Sequence, residues 1–116
     1  MVAVIFEVTP ASEYYQEYLD IALQLKAELS TIDGFISIER FKSLNDSNKI
    51  LSLSFWQNEE SIKQWRNLEC HRMAQEKGRE YIFNDYHLRV AHVIRDYGMA
   101  DRQQAPEDSR LQHDNR

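Results

Sequence analysis

Alternation of apolar and polar residues marks several segments of the chain as β-strands. In VAVIFEV, every second residue from Val2 to Val8 is apolar, and Glu7 stands on the opposite face. The same alternation recurs in FISIERFKSL (35–44), KILSLSFW (49–56) and YHLRVAHVI (86–94). Because successive side chains of a strand point to opposite faces, this period of two predicts four strands.

Two other stretches repeat apolar residues at steps of three and four, the period of a helix that buries one face. We expect the first helix to be capped by Ser12 and to end at Asp33-Gly34, because glycine accepts the positive φ of a helix C-terminus. Its apolar stripe consists of Tyr14, Tyr18, Ile21, Ala22, Leu25 and Leu29. The second helix is predicted to follow a cap at Asn58 and carries Trp65; a break near Asn67 would divide it into two short helices.

The element order β-α-β-β-α-β predicts an α+β protein of the ferredoxin-like class. In this arrangement a four-stranded antiparallel sheet carries both helices on one face. Each strand nevertheless has apolar residues on both faces, so the second sheet face also needs a cover. We therefore expect a homodimer in which two sheets pack face to face.

The domain is expected to span residues 1–97. Residues 98–116 are mostly polar, contain one leucine and show no apolar period. We interpret them as a disordered or extended tail.

Composition narrows the expected partners and compartment. The net charge is −5 and the basic residues are scattered, whereas phosphate binding favours a concentrated basic surface, so we expect no nucleic acid partner. No apolar run has the length of a membrane span, and MVAVIFEV contains Glu7 and reads as a strand rather than a signal peptide. The single cysteine cannot form an internal disulfide, which favours the cytoplasm.

Three stretches resemble the antibiotic biosynthesis monooxygenase (ABM) family of dimeric α+β barrels. They are DGFISIERF, the strand-to-helix junction ILSLSFWQNEESIKQW and the last strand YHLRVAHVIRDYG. The resemblance covers residues 1–98. It implies one pocket per subunit between sheet and helices, where a small aromatic or quinol-type substrate reacts with O₂ without a cofactor.

The same family resemblance includes haem-degrading oxygenases, which suggests an alternative function. That branch places an Asn on the first strand, a Trp on the later helix and a His about ten residues further on. Trp65 fits the tryptophan, but Glu7 stands for the Asn and Gln75 for the His. Haem is therefore disfavoured. A third alternative is a dimer that binds a small ligand without catalysis.

Two residues are candidates for catalysis. His71 has an ordinary pKa that suits it to accept a proton from a phenol near neutral pH. Glu7 is a carboxylate within an apolar strand, so it is expected either to be a base with a raised pKa or to pair with Arg89. Cys70 has no partner arrangement typical of a nucleophile, and no residue cluster has zinc spacing.

Three further residues are candidates for substrate binding. Trp65 is either a core residue or the aromatic wall of a pocket, with one N–H to donate. A strand arginine, Arg89 or Arg40, could hold a substrate oxyanion, although pairing with a neighbouring glutamate is the commoner role. His92 lies between apolar neighbours, so we expect it to be buried with a hydrogen-bonding partner.

Overall fold

The strands and helices follow the predicted order. The computed structural model describes the backbone of residues 1–76 and 82–113, and the side chains of residues 1–68 and 82–111. Within these ranges the elements are β1 (Val2–Pro10), a 3₁₀ turn (Ser12–Tyr14), α1 (Tyr15–Leu29), β2 (Phe35–Lys42), β3 (Ile50–Trp56), α2 (Glu59–Glu76), β4 (Phe83–His92) and α3 (Glu107–His113).

The four strands form one sheet in the order β2-β3-β1-β4, and every neighbouring pair is antiparallel. Val4 on the central strand β1 lies opposite Ser54 on β3 and Val90 on β4. This order, with both long helices supplying residues to the same core, is the ferredoxin-like α+β arrangement. The predicted fold class is confirmed.

One face of the sheet is covered by α1 and α2 and contains the core. Apolar residues of β1 and β3 meet one side of each helix and are nearly inaccessible to water. Burying each such side chain contributes about 1.5–3 kcal/mol. The larger of the two clusters contains Phe6, Val8, Tyr18, Ile21, Leu25, Ile50 and Ile82, and the other contains Val2, Val4, Leu29, Trp56, Ile62 and Trp65.

The opposite face of the sheet, which we call the outer face, also carries apolar residues. Ile5, Leu51, Leu53 and Phe55 are half-buried there, and Phe41 is 43% exposed. The two-sided apolar pattern predicted from the sequence is therefore present in the sheet.

The helix boundaries agree with the sequence at one end and differ at others. The Asn58 side chain accepts a hydrogen bond from the Ser61 backbone N–H at 3.0 Å, as expected of a cap. Ser12 is instead the first residue of the 3₁₀ turn, and no side chain caps α1. Helix α2 runs unbroken from Glu59 to Glu76, so the expected break near Asn67 is absent.

The C-terminal segment has more structure than the sequence suggested. It contains α3, and Ala105 is buried. The Gln104 carbonyl accepts a hydrogen bond from the Arg95 guanidinium at 3.1 Å, and its side-chain oxygen accepts one from the Asp96 N–H at 2.9 Å. The segment expected from the sequence to be a disordered or extended tail thus contains a helix and polar contacts, which leave no apolar period in the sequence.

The tight turn that follows α1 packs against the start of α2. Gly34 has a φ of +93°, a conformation that favours glycine. The Ser61 hydroxyl donates to the Asp33 carbonyl at 2.7 Å, and the Gln57 N–H donates to the Gly34 carbonyl at 2.8 Å. A Cβ at Gly34 would overlap the Ser61 side chain, so this turn lies directly against the first turn of α2.

We expect Gly34→Ala to lower the free energy of unfolding by about 1–3 kcal/mol from backbone strain alone, with the Ser61 overlap adding to the loss. Gly98→Ala is the matched control, because Gly98 has no atom within 4 Å of a built Cβ. Urea denaturation of both variants measures the difference. Equal stability of the two variants would contradict the packing described for this turn.

Candidate functional site

A pocket lies between the sheet and the two long helices. Strands β1, β2 and β3 and both long helices contribute to it, and its empty space is about 280 Å³, part of which is open to solvent. Because this figure includes space open to solvent, the enclosed part is well below the about 300–1,000 Å³ typical of small-molecule sites, and a ligand would have to displace lining side chains. Its lining residues are Phe6, Tyr18, Ala22, Leu25, Arg40, Ser52 and Trp65.

Trp65 forms a wall of the pocket and belongs to the core at the same time. It is 4% exposed, and its ring centroid lies 6.2 Å from that of Trp56. The Trp56 indole N–H donates to the Ser54 hydroxyl at 2.8 Å, which holds that ring against Trp65. The two interpretations of Trp65 from the sequence, core residue and pocket wall, both apply.

Arg40 is the cationic residue among the described residues that line the pocket. It lies on β2 directly opposite Ser52 of β3, on the face covered by the helices. Its Nε atom is buried and has no hydrogen-bond partner, and Arg40 makes no ion pair with the residues whose side chains are described. Leaving a buried donor unsatisfied costs about 1–3 kcal/mol, so the fold holds this guanidinium at a cost in stability.

Glu7 lies on the outer face, away from the pocket. Its carboxylate is 3.4 Å from the Lys49 Nζ and 3.6 Å from a guanidinium nitrogen of Arg89. The hydrogen bond and charge of Lys49, followed by the charge of Arg89, lower the pKa of Glu7 below its ordinary value. The expectation that Glu7 is a base with a raised pKa beside Trp65 is therefore wrong, and the alternative of an ion pair with Arg89 agrees with the structure.

The other predicted site residues do not gather around Trp65. Arg89 shares the outer face with Glu7, and its side chain is 52% exposed. His92 is on the helix-side face opposite Val2 but is exposed, because the helices leave this face of the edge strand β4 open; Leu88 and Val90 on the same face are also exposed. The expectation of a buried His92 is wrong for that reason. The side chain of His71 lies outside the described residues, as does that of Gln75.

The residues that do meet in the pocket were only partly recognisable from the sequence. From the sequence, Arg40 was an alternative to Arg89 as the arginine that holds a substrate oxyanion. Alternation alone could not show which of the two lies on the face covered by the helices. Ser52 carried a weak signal, since a small residue between large ones on a buried strand leaves space. Tyr18 was assigned only to the apolar stripe of the first helix.

The described parts of the chain contain no group of three histidine, cysteine, aspartate or glutamate residues that could hold a metal ion. They also contain no helix with the length and apolar character of a membrane span.

Comparison with known families assigns the chain to one of them. The family model for antibiotic biosynthesis monooxygenase matches residues 1–77, which include β1 to β3, α1 and all of α2. The chain belongs to the ABM family, as the resemblance in the sequence suggested.

A curated relative supports the same assignment. The jasmonate monooxygenase ABM of the fungus Pyricularia oryzae is 53% identical over 93 residues, which are 80% of this chain and 43% of that protein. The chain thus spans less than half the length of this relative.

Solved structures of distant sequence share the fold. A mutant of SnoaB, a cofactor-independent oxygenase from Streptomyces nogalater, has a TM-score of 0.67 and 8% identity, with 82% of this chain and 94% of that chain covered. The haem degrader MhuD from Mycobacterium tuberculosis, with two haems in its active site, has a TM-score of 0.63 and 13% identity, with 84% and 100% covered. At these identities the similarity concerns the fold.

The Glu7 contacts predict a specific pH dependence. Because the pKa of Glu7 is lowered below its ordinary 4.5, its ion pairs stabilise the fold above that pH, and this stabilisation is lost as the pH falls through the lowered value. We expect Lys49→Gln to raise the pKa of Glu7 towards 4.5, and Arg89→Gln to raise it less. NMR titration of the Glu7 carboxyl carbon measures both shifts; a wild-type pKa above 4.5 would contradict the ion-pair assignment.

Proposed function

We propose that the protein is a cofactor-independent monooxygenase that oxidises a small organic substrate, aromatic or quinol-type, with O₂. The observation that carries the proposal is the pocket under Trp65, with apolar walls and few polar groups, in a chain of the ABM family. Such a lining is typical of small-molecule sites, in which a few polar groups orient the ligand. The fold similarity to SnoaB supports the absence of a cofactor.

In the proposed reaction the protein has two main roles, to bind the substrate and to remove a proton from it. Deprotonation of an acidic C–H or O–H gives a carbanion or phenolate, which can pass an electron to O₂ unaided. For a substrate with an acidic CH₂ group, the overall reaction converts CH₂ to C=O; one oxygen atom of O₂ enters the product and the other leaves as water. The apolar walls contributed by Phe6, Leu25 and Trp65 would exclude bulk water, and the positive charge of Arg40 would favour the anionic form of the substrate.

We propose His71 as the base, since a histidine with an ordinary pKa can accept a proton near neutral pH. Glu7 is not proposed again for this role, because it is paired with Lys49 on the outer face. Trp65 is proposed to stack on the substrate. Arg40 takes over the oxyanion role first considered for Arg89, because Arg40 is the arginine that lines the pocket.

Haem is the rival ligand, and the described residues fit it poorly. Of the three positions that mark haem degraders, Trp65 lines the pocket, whereas Glu7 lies on the outer face among cations. No histidine is among the described lining residues. The fold similarity to MhuD makes haem binding the alternative that an experiment has to separate.

The name of the fungal relative suggests a first compound to test. Jasmonate is the substrate named for the Pyricularia oryzae protein, and it combines a small apolar body with a carboxylate. We therefore propose jasmonate, an anthrone and a set of quinols as the starting panel, and we propose that the protein acts in the cytoplasm.

We expect at least one compound of this panel to give substrate-dependent oxygen uptake without added cofactor. Trp65→Phe keeps most of the apolar volume but removes the indole N–H. It should therefore lower kcat/KM, while the melting temperature falls only modestly. An oxygen electrode and thermal unfolding measure the two effects. A shift of the haemin Soret band on titration, without oxygen uptake on the panel, would instead support the haem alternative. A fall in melting temperature without change in kcat/KM would limit Trp65 to packing.

We also propose that the protein is a homodimer built on the outer face of the sheet. Light scattering at micromolar concentration should give about twice the chain mass of 13.8 kDa. Leu53→Lys places a charge in the middle of the outer face and should shift the protein towards monomer, because burying an unpaired charge is costly. Leu23→Lys is the matched control, since Leu23 is 71% exposed on α1. A wild-type monomer at this concentration would contradict the proposal.

A further inference from the structure

The guanidinium of Arg40 needs an explanation that packing does not supply. An arginine on a covered sheet face usually extends its head to water or pairs it with a carboxylate. The Arg40 Nε neither reaches water nor meets a carboxylate; it is buried and has no hydrogen-bond partner. The contrast is Arg89 on the outer face, which lies 3.6 Å from Glu7. The described side chains thus pair the outer arginine and leave the inner one unpaired.

The surroundings of Arg40 define the chemistry of a suitable partner. Phe6, Ala22, Leu25 and Trp65 give the pocket a mainly apolar lining. An N–H of permanent positive charge in such a lining is matched by an oxygen of negative charge, because charge-assisted hydrogen bonds are about twice as strong as neutral ones. A neutral carbonyl would satisfy the donor but leave the charge uncompensated.

Ser52 adds a second polar group at the same place. It is directly opposite Arg40 in the β2–β3 register, is 4% exposed and lines the pocket. Its hydroxyl can donate one hydrogen bond. An acceptor with two oxygens, such as a carboxylate, can therefore accept from the Arg40 Nε with one oxygen and from the Ser52 hydroxyl with the other.

We propose that the ligand of this pocket is a carboxylate with a compact apolar body, and that Arg40 determines this specificity. The carboxylate accepts hydrogen bonds from the Arg40 Nε and the Ser52 hydroxyl, and the apolar body lies against Leu25 and Trp65. The carboxylate site specifies a substrate class for the proposed oxygenation, and its role as a substrate site rests on that proposed function. Its test measures binding without turnover, so the two proposals can fail separately.

The test compares carboxylates with their methyl esters on the full chain. The two pairs are jasmonate with methyl jasmonate and 2-naphthoate with methyl 2-naphthoate, and binding is followed by quenching of the fluorescence of Trp56 and Trp65. We expect at least one acid to bind wild-type protein at least about tenfold more tightly than its ester, as the loss of a charge-assisted hydrogen bond predicts. Arg40→Met should remove this preference and leave the affinity for the ester unchanged.

A matched control and a stability measurement exclude simple misfolding. Arg66→Met removes the same charge from an exposed position of α2 and should keep the preference for the acid. Arg40→Met should melt at the same temperature as wild type or higher, because it removes a buried unsatisfied donor while keeping an unbranched apolar stem.

Three results would overturn the proposal. They are equal affinity for acid and ester in wild type, an acid preference that survives Arg40→Met, and failure of both pairs to bind. If the acid preference depends on Arg40 but no compound supports oxygen uptake, the carboxylate site stands and the proposed oxygenase function fails. If oxygen uptake with jasmonate occurs and is unchanged in Arg40→Met, the oxygenase function stands, and both the carboxylate site and the proposed oxyanion role of Arg40 fail.

Discussion

The contact between the Gly34 turn and the first turn of α2 is the constraint on which the pocket depends. The hydrogen bond from Ser61 to the Asp33 carbonyl sets where α2 begins relative to the end of α1 and the start of β2. Trp65 lies four residues after Ser61, about one helical turn, and so reaches over the sheet beside Trp56. A side chain at Gly34 would overlap Ser61 in the first turn of α2, the helix that carries Trp65.

Charged side chains have different surroundings on the two faces of the sheet, and this difference bears on function. On the outer face Glu7 is paired with Lys49 and Arg89. On the helix side Arg40 keeps an unsatisfied donor in a mainly apolar pocket. Ion pairs at a half-exposed surface contribute little to stability, whereas a buried unpaired donor is costly, so the second arrangement is the one typical of a binding site.

Much of the fold followed from local pattern. The period of two residues predicted β1 to β4, the three- and four-residue steps predicted the face of α1 with Tyr18, and Asn58 predicted the start of α2. These features depend on residues close together in the chain, so the sequence carries them directly. The structure of the C-terminal tail could not be predicted in this way, because the contacts of Gln104 with residues 95 and 96 are polar and non-periodic.

The sequence by itself determined which residues share a face: Glu7 with Ile5 on β1, and Arg40 with Ile38 on β2. It did not determine which face the helices cover or which edge of the sheet stays open, because both depend on the order β2-β3-β1-β4 and on pairing between distant strands. That pairing placed Arg40 opposite Ser52 in the pocket and Glu7 on the outer face. Alternation has the same period on either face, so only the tertiary structure could decide which charge is buried.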